Sequence, residues 1–134
     1  MNMLILNSFR HEEILQGEII QSENGFRLYL PDNILCVQLI HGTQHWYKND
    51  KRHRDEGPAV IYADGTQEWY KNGKHHREDG PAVIYFSGRQ EWWINGKRHR
   101  EDGPAVIYPS GMQFWFINGI RFTKEQFDEY VNSK

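Results

Sequence analysis

The chain repeats itself every 23 residues, and this period constrains its fold more than any other feature. Gly57–Asp79 reads GPAVIYADGTQEWYKNGKHHRED and Gly80–Asp102 reads GPAVIYFSGRQEWWINGKRHRED, identical at 17 of 23 positions. A third copy opens at Gly103 with GPAVIYPSGMQFWFINGIRF and then departs. Gly42–Glu56, GTQHWYKNDKRHRDE, is the latter part of an earlier copy. Trp46, Trp69, Trp92 and Trp115 mark the beat, as do His53-Arg54, His76-Arg77 and His99-Arg100. A unit this short cannot bury an apolar face alone, so its neighbours must stack against it.

Each unit reads as a β-hairpin. Ala-Val-Ile-Tyr is β-branched and aromatic, bounded by Gly-Pro before and Asp-Gly or Ser-Gly after. Gln-Glu-Trp-Tyr follows and ends on Asn-Gly, the pair that both central positions of a type I′ turn favour. Asn72-Gly73, Asn95-Gly96 and Asn118-Gly119 carry that turn, and Asn49-Asp50 a weaker form. Connections this short allow only an all-β antiparallel meander, an elongated twisted sheet of consecutive hairpins. Two-residue loops at Asp64-Gly65 and Asn72-Gly73 would set Val60 against Trp69 and Glu68 against Arg77. One face would then carry Val60, Tyr62, Trp69 and His76. The other would carry Ala59, Ile61, Tyr70 and the Glu68–Arg77 pair.

The ends differ from the middle. Residues 1–41 read as a degenerate opening repeat, with Gly25 matching Gly65, Tyr29 matching Trp69, and Cys36-Val37-Gln38-Leu39 matching Ala59-Val60-Ile61-Tyr62. Ile14–Gln21 and Phe26–Leu30 read as strands, with a helix over Ser8–Leu15 as the competing assignment. At the other end, Thr123 and Gln126 form a capping box, with Phe122 and Phe127 as its hydrophobic staple. A short helix over Lys124–Val131 is expected to close the last sheet edge. The chain is thus one repeat domain, 1–134, divided into an N-terminal cap (1–41), the repeats (42–122) and the helical end (123–134).

Composition narrows the function. Sixteen Lys and Arg against 18 Asp and Glu, net −2, argue against a dedicated nucleic-acid binder. The lone Cys36 forms no intrachain disulfide and no stretch has the length of a membrane span. The opening MNMLILNSFRHEE lacks a basic n-region, so a cytoplasmic location is expected. The repeated histidines do not predict a metal. Equivalent positions in adjacent hairpins lie about 9.5 Å apart, too far to share one ion. They are expected to pack on tryptophan and bond a turn carbonyl. The recurring Arg-Glu-Asp triplets fit ion pairs between hairpins better than one catalytic carboxylate pair. Neither catalytic residues nor a cofactor site are expected.

The 23-residue period, the Asn-Gly turn and the histidine four residues after that asparagine resemble MORN repeats. His-Arg-Glu-Asp-Gly-Pro-Ala is closer still to the MORN-variant repeats of phage, giant-virus and bacterial proteins. The resemblance is strong over Gly42–Phe122 and weak over Gly17–His41. It departs from standard MORN where Arg77 and Asp79 replace glycines beside the histidine. It implies a twisted single-layer binding scaffold. Some members contact lipid, some assemble with proteins, and some bacterial variants act as antitoxins. The expected function is therefore a non-enzymatic protein-binding scaffold, an inhibitor of a host-defence or toxin protein of the phage anti-defence or antitoxin type. The alternative is a lipid- or membrane-associated scaffold. Beside the constant tryptophan the sequence varies, as Tyr47, Tyr70, Trp93 and Phe116, across the hairpin from Arg52, His75, Arg98 and Arg121. Aromatic and arginine side chains are common interface anchors. Tyr47, Arg52, Tyr70, Trp93, Arg98 and Phe116 are therefore the expected contact residues for a protein partner.

Overall fold

The computed structural model describes residues 18–134. The expected helix at 8–15 and the first four residues of the strand at 14–21 lie outside that range. The described chain runs β1 (Glu18–Ser22), β2 (Gly25–Leu30), β3 (Ile34–Leu39), β4 (Gln44–Lys48) and β5 (Lys51–Arg52). Then come β6 (Val60–Ile61), β7 (Gln67–Glu68), β8 (Tyr70–Lys71) and β9 (Lys74–His75). The next unit repeats them as β10 (Val83–Ile84), β11 (Gln90–Glu91), β12 (Trp93–Ile94) and β13 (Lys97–Arg98). The last contributes β14 (Val106–Ile107), β15 (Gln113–Ile117), β16 (Ile120–Phe122) and the helix α1 (Lys124–Asn132).

Every ladder is antiparallel and the sheet is an open meander of hairpins. Its order is β1-β2-β3-β4-β6-β7-β10-β11-β14-β15-β16. The hairpin tips β8–β9 and β12–β13 leave this sheet as separate two-stranded ribbons. Trp69 and Trp92 are where the chain crosses from sheet to ribbon. The tips turn as their chemistry requires: Asn72, Asn95 and Asn118 have φ near 50°, and the following glycines near 81°. Asn49 and Asp50 take the same conformation without a glycine, at φ 51° and 64°.

The other turn departs from expectation. Tyr62 N–H donates to the Thr66 carbonyl and Gly65 N–H to the Tyr62 carbonyl, so the loop holds three residues, Ala63-Asp64-Gly65. Gly65, at φ +94°, supplies the left-handed position that such a loop needs. The register therefore shifts by one, pairing Val60 with Glu68 and Ile61 with Gln67. A shift of one residue exchanges the faces. Glu68, not Trp69, lies on the side of Val60. Ala59 N–H also donates to the Glu68 carbonyl, so two residues oppose one in a β-bulge that recurs at Ala82 and Ala105.

The opening repeat follows the same logic. Leu28, Cys36 and Trp46 pair directly across three strands and are all buried. Leu28 thus occupies the tryptophan slot that the sequence assigned to Tyr29, which is 40 % exposed. The main core cluster lies here, with Phe26, Leu28, Cys36, Trp46, Ala59, Val60 and Tyr70. Burial pushes the Cys36 thiol far above its usual range. At the far end α1 has the expected capping box. The Thr123 hydroxyl accepts from Gln126 N–H, and the Gln126 side chain accepts from Thr123 N–H.

Candidate interaction face

Two faces of the sheet carry two different side-chain systems. The first belongs to tryptophan. Arg54, Arg77 and Arg100 stack on Trp46, Trp69 and Trp92 at 3.8–3.9 Å from the ring centroids. Each guanidinium also donates to the carbonyl of the following proline, Pro58, Pro81 or Pro104. Arg77 therefore does not meet Glu68; it pairs with Asp79 inside its own loop, as Arg100 pairs with Asp102. Ladder-like ion pairs between the hairpins are largely replaced by pairs within each loop. Lys71 to Asp55, at 4.0 Å, does cross from one unit to the one before.

The histidines of this face reverse the expected bond. His53, His76 and His99 do not donate to a turn carbonyl. Each accepts, at Nδ1, the backbone N–H of the next unit's turn asparagine: Asn72, Asn95 and Asn118, at 2.9–3.0 Å. An accepting Nδ1 places the proton of a neutral ring on Nε2. That nitrogen lies 2.7 Å from Asp55 in the first unit and 3.5 Å from Glu78 in the second. The adjoining glycines complete the seam, since Gly73, Gly96 and Gly119 donate to the carbonyls of Arg52, His75 and Arg98. The backbone N–H groups of each hairpin tip thus join one repeat to the one before it.

The second face carries the expected contact residues. Tyr47, Tyr70, Trp93 and Phe116 stand across their hairpins from Arg52, His75, Arg98 and Arg121. The units interleave, so that rings and cations alternate along the repeat axis. Arg52 lies over Tyr70, and His75 stacks on Tyr70 at 4.3 Å and approaches Trp93 at 5.2 Å. Arg98 lies over Trp93 and Phe116 at 5.1 and 5.4 Å, and Arg121 over Phe114 at 4.5 Å. Tyr70 is 9 % exposed and belongs to the core; Trp93, Phe116 and the arginines are more open.

Beneath this row lie two glutamates whose role the sequence reading missed. Glu91 is 2 % exposed. It takes Arg98 at 2.8 Å, Arg89 at 3.2 Å and the Tyr85 hydroxyl at 3.0 Å. Glu68 takes the hydroxyls of Tyr62 and Tyr70 at 3.3 and 3.2 Å, with His75 at 3.6 Å, an ion-pair distance. Burial works to raise the Glu68 carboxyl, but His75 and the two hydroxyls outweigh it and hold it below the usual carboxylate range. Burial and the Glu68 charge push the Tyr70 phenol up to about 12. The signal for this network was present in the recurring Ile-Tyr and Gln-Glu pairs. The one-residue error at Asp64-Gly65 placed them on opposite faces.

Along the sheet edge formed by the three-residue turns, Thr43 and Thr66 accept the backbone N–H of Ala63 and Phe86 in the next unit. In the following unit Arg89 replaces the threonine and Pro109 has no N–H to give. Ile40, Phe86 and Met112 stand out from this edge, 74, 72 and 58 % exposed. Among the described residues no three His, Cys, Asp or Glu side chains converge as metal ligands. No described helix is long and apolar enough to cross a membrane. No known family, curated protein or solved structure matches this chain.

Proposed function

We propose that the chain is a non-enzymatic protein-binding scaffold and that its ring-and-cation face meets the partner. The observation that carries this reading is the continuous row from Arg52 to Arg121, half-open and covered by no second layer among the described residues. Aromatic rings give contact area at low ordering cost, and the arginines here are already held by stacking on them. Because Tyr70 is buried, contact centres on Trp93, Arg98 and Phe116, with Tyr47 and Arg52 extending it. The resemblance to phage, giant-virus and bacterial variant repeats supports a more specific form, inhibition of a host-defence or toxin protein.

The test uses Trp93→Ala and Phe116→Ala, which leave the partners of Glu91 in place. Affinity capture from candidate host cells, read by mass spectrometry, should recover a protein with the parent chain that both variants fail to retain. Their melting temperatures should fall by only a few degrees. Equal capture by parent and variants would refute the face assignment. The apolar tips Ile40, Phe86 and Met112 favour a second reading, contact with a lipid surface along the turn edge. Phe86→Ser with Met112→Ser should then abolish sedimentation with vesicles; absence of sedimentation by the parent would dismiss that reading.

A further inference from the structure

Among the described residues, the last repeat leaves part of its sheet edge unpaired. In each earlier unit the strand before the tryptophan is flanked on both sides. Gln90 and Glu91 pair with Ile84 and Val83 on one side and with Ile107 and Val106 on the other. Gln67 and Glu68 are flanked in the same way. Gln113 and Phe114 pair with β14 alone among the described residues. The chain beyond Phe122 forms α1, whose Phe127 faces Trp115 at 6.5 Å where an arginine stacks in earlier units. The helix replaces the His-Arg-acid loop, but no described strand replaces the Ala-Val-Ile segment that follows that loop.

The orientation of the free groups follows from the ladder. Ala105 N–H donates to the Phe114 carbonyl, so the polar backbone of Phe114 points toward β14. Consecutive residues of an antiparallel strand point their N–H and C=O to alternate sides. The N–H and C=O of Gln113 therefore face away from β14. They open onto a groove of about 410 Å³ between β15 and the first turn of α1, lined by Phe114, Trp115, Arg121, Phe122 and Gln126.

We infer that this groove is a strand-addition site for an extended segment of another protein with the pattern small residue, β-branched residue, β-branched residue. The molecule itself shows what the geometry accepts. At the three equivalent positions it holds Ala59-Val60-Ile61, Ala82-Val83-Ile84 and Ala105-Val106-Ile107. The alanines are fully buried, as is Cys36 in the matching slot of the opening repeat, so the slot takes a small residue, and the valines are 0–3 % exposed. The third residue of an incoming segment pairs with Gln113, giving two main-chain hydrogen bonds, and the second lies over Phe114. Phe114 stands where Glu68 and Glu91 stand in earlier units, so the second residue meets a ring instead of a carboxylate, while Arg121, Lys124 and Gln126 rim the groove. Main-chain bonds supply affinity and the small first slot supplies selectivity. A folded second copy cannot donate such a segment, because its own alanines are buried in its sheet. The groove shares Arg121 and Phe114 with the end of the ring-and-cation face, but it turns on the outward main chain of Gln113, which that face does not use, so the two readings are tested apart.

The test titrates a capped synthetic peptide, Gly-Pro-Ala-Val-Ile-Tyr, into the full chain and reads amide chemical shifts. Weak, saturable binding is expected for so short an added strand, with shifts at Gln113, Phe114 and Trp115. N-methylation of the peptide isoleucine, which removes its donor, should weaken binding at least tenfold. Leucine for its alanine should do the same. Gln113→Pro removes the outward N–H without touching the bonds to β14, and should abolish binding while the fold persists. Absent shifts, equal binding by the N-methylated peptide, or shifts confined to β1 would overturn the proposal. So would head-to-tail self-association of the chain that the peptide does not compete away.

Discussion

Replacing Arg98 by alanine tests the reading of the glutamate network directly. Arg98 places Nε 3.0 Å and a terminal nitrogen 2.8 Å from one oxygen of Glu91. Breaking a fully buried ion pair costs about 3–5 kcal/mol, because the remaining charge stays desolvated. Here the Arg98 side chain is 35 % exposed, and Arg89 remains at 3.2 Å. Both facts lower the expected loss, to about 2–3 kcal/mol. In a Glu91→Gln background no buried charge is stranded. Arg98→Ala should then cost about 1 kcal/mol, from lost stacking on Trp93 and Phe116. The coupling of about 1–2 kcal/mol is measurable by urea denaturation of the four proteins. A coupling below about 0.5 kcal/mol would show that Arg98 acts by packing alone and that Glu91 is held by its other partners. The same result bears on the interface, since an Arg98 variant confounds lost stability with lost binding whereas Trp93→Ala does not.

His76→Ala should cost about 0.5–1.5 kcal/mol by removing the acceptor of the exposed Asn95 N–H, and amide exchange at Asn95 should accelerate more than at Asn72. Thr123→Ala should cost about 0.5–2 kcal/mol through the lost helix cap, read from the melting curve. The depressed Glu68 carboxyl stabilises the fold fully above its unfolded pKa, and that contribution is lost as pH falls through the lower folded value. Stability should therefore drop on acidification below about pH 4.3, and Glu68→Gln should flatten that drop. Cys36 should resist thiol reagents in the native protein and react on unfolding, because burial keeps its thiol protonated.

What was legible in the sequence was the local chemistry. Asn-Gly located the hairpin tips because two consecutive left-handed residues leave few alternatives, and Thr123 with Gln126 located the helix start for a similar reason. The Asp64-Gly65 turn was harder. Asp64 Oδ1 accepts from Thr66 N–H, and that bond helps fix a three-residue loop that the dipeptide alone does not distinguish from a two-residue one. One residue of error there exchanged Glu68 with Trp69. The aromatic row was found because Tyr47, Tyr70, Trp93 and Phe116 lie beside the Asn-Gly and Asn-Asp turns, where the pairing was read correctly. Its interleaving between units, and the histidine bond to the next asparagine, needed the spacing of whole repeats in space.

The bond from each histidine to the next unit's asparagine spans 19 residues every time. Such a connection makes the protein a ruler with graduations. Each added unit contributes two strands, about 9.5 Å of width, and leaves every other seam as it was. Length can change by whole units only, since inserting a fraction of one would leave an imidazole facing no amide. A duplicated Gly57–Asp79, which carries Thr66 to accept the next unit's N–H, should therefore fold without redesign, extend the ring-and-cation face by one graduation, and leave the end carrying α1 unaltered.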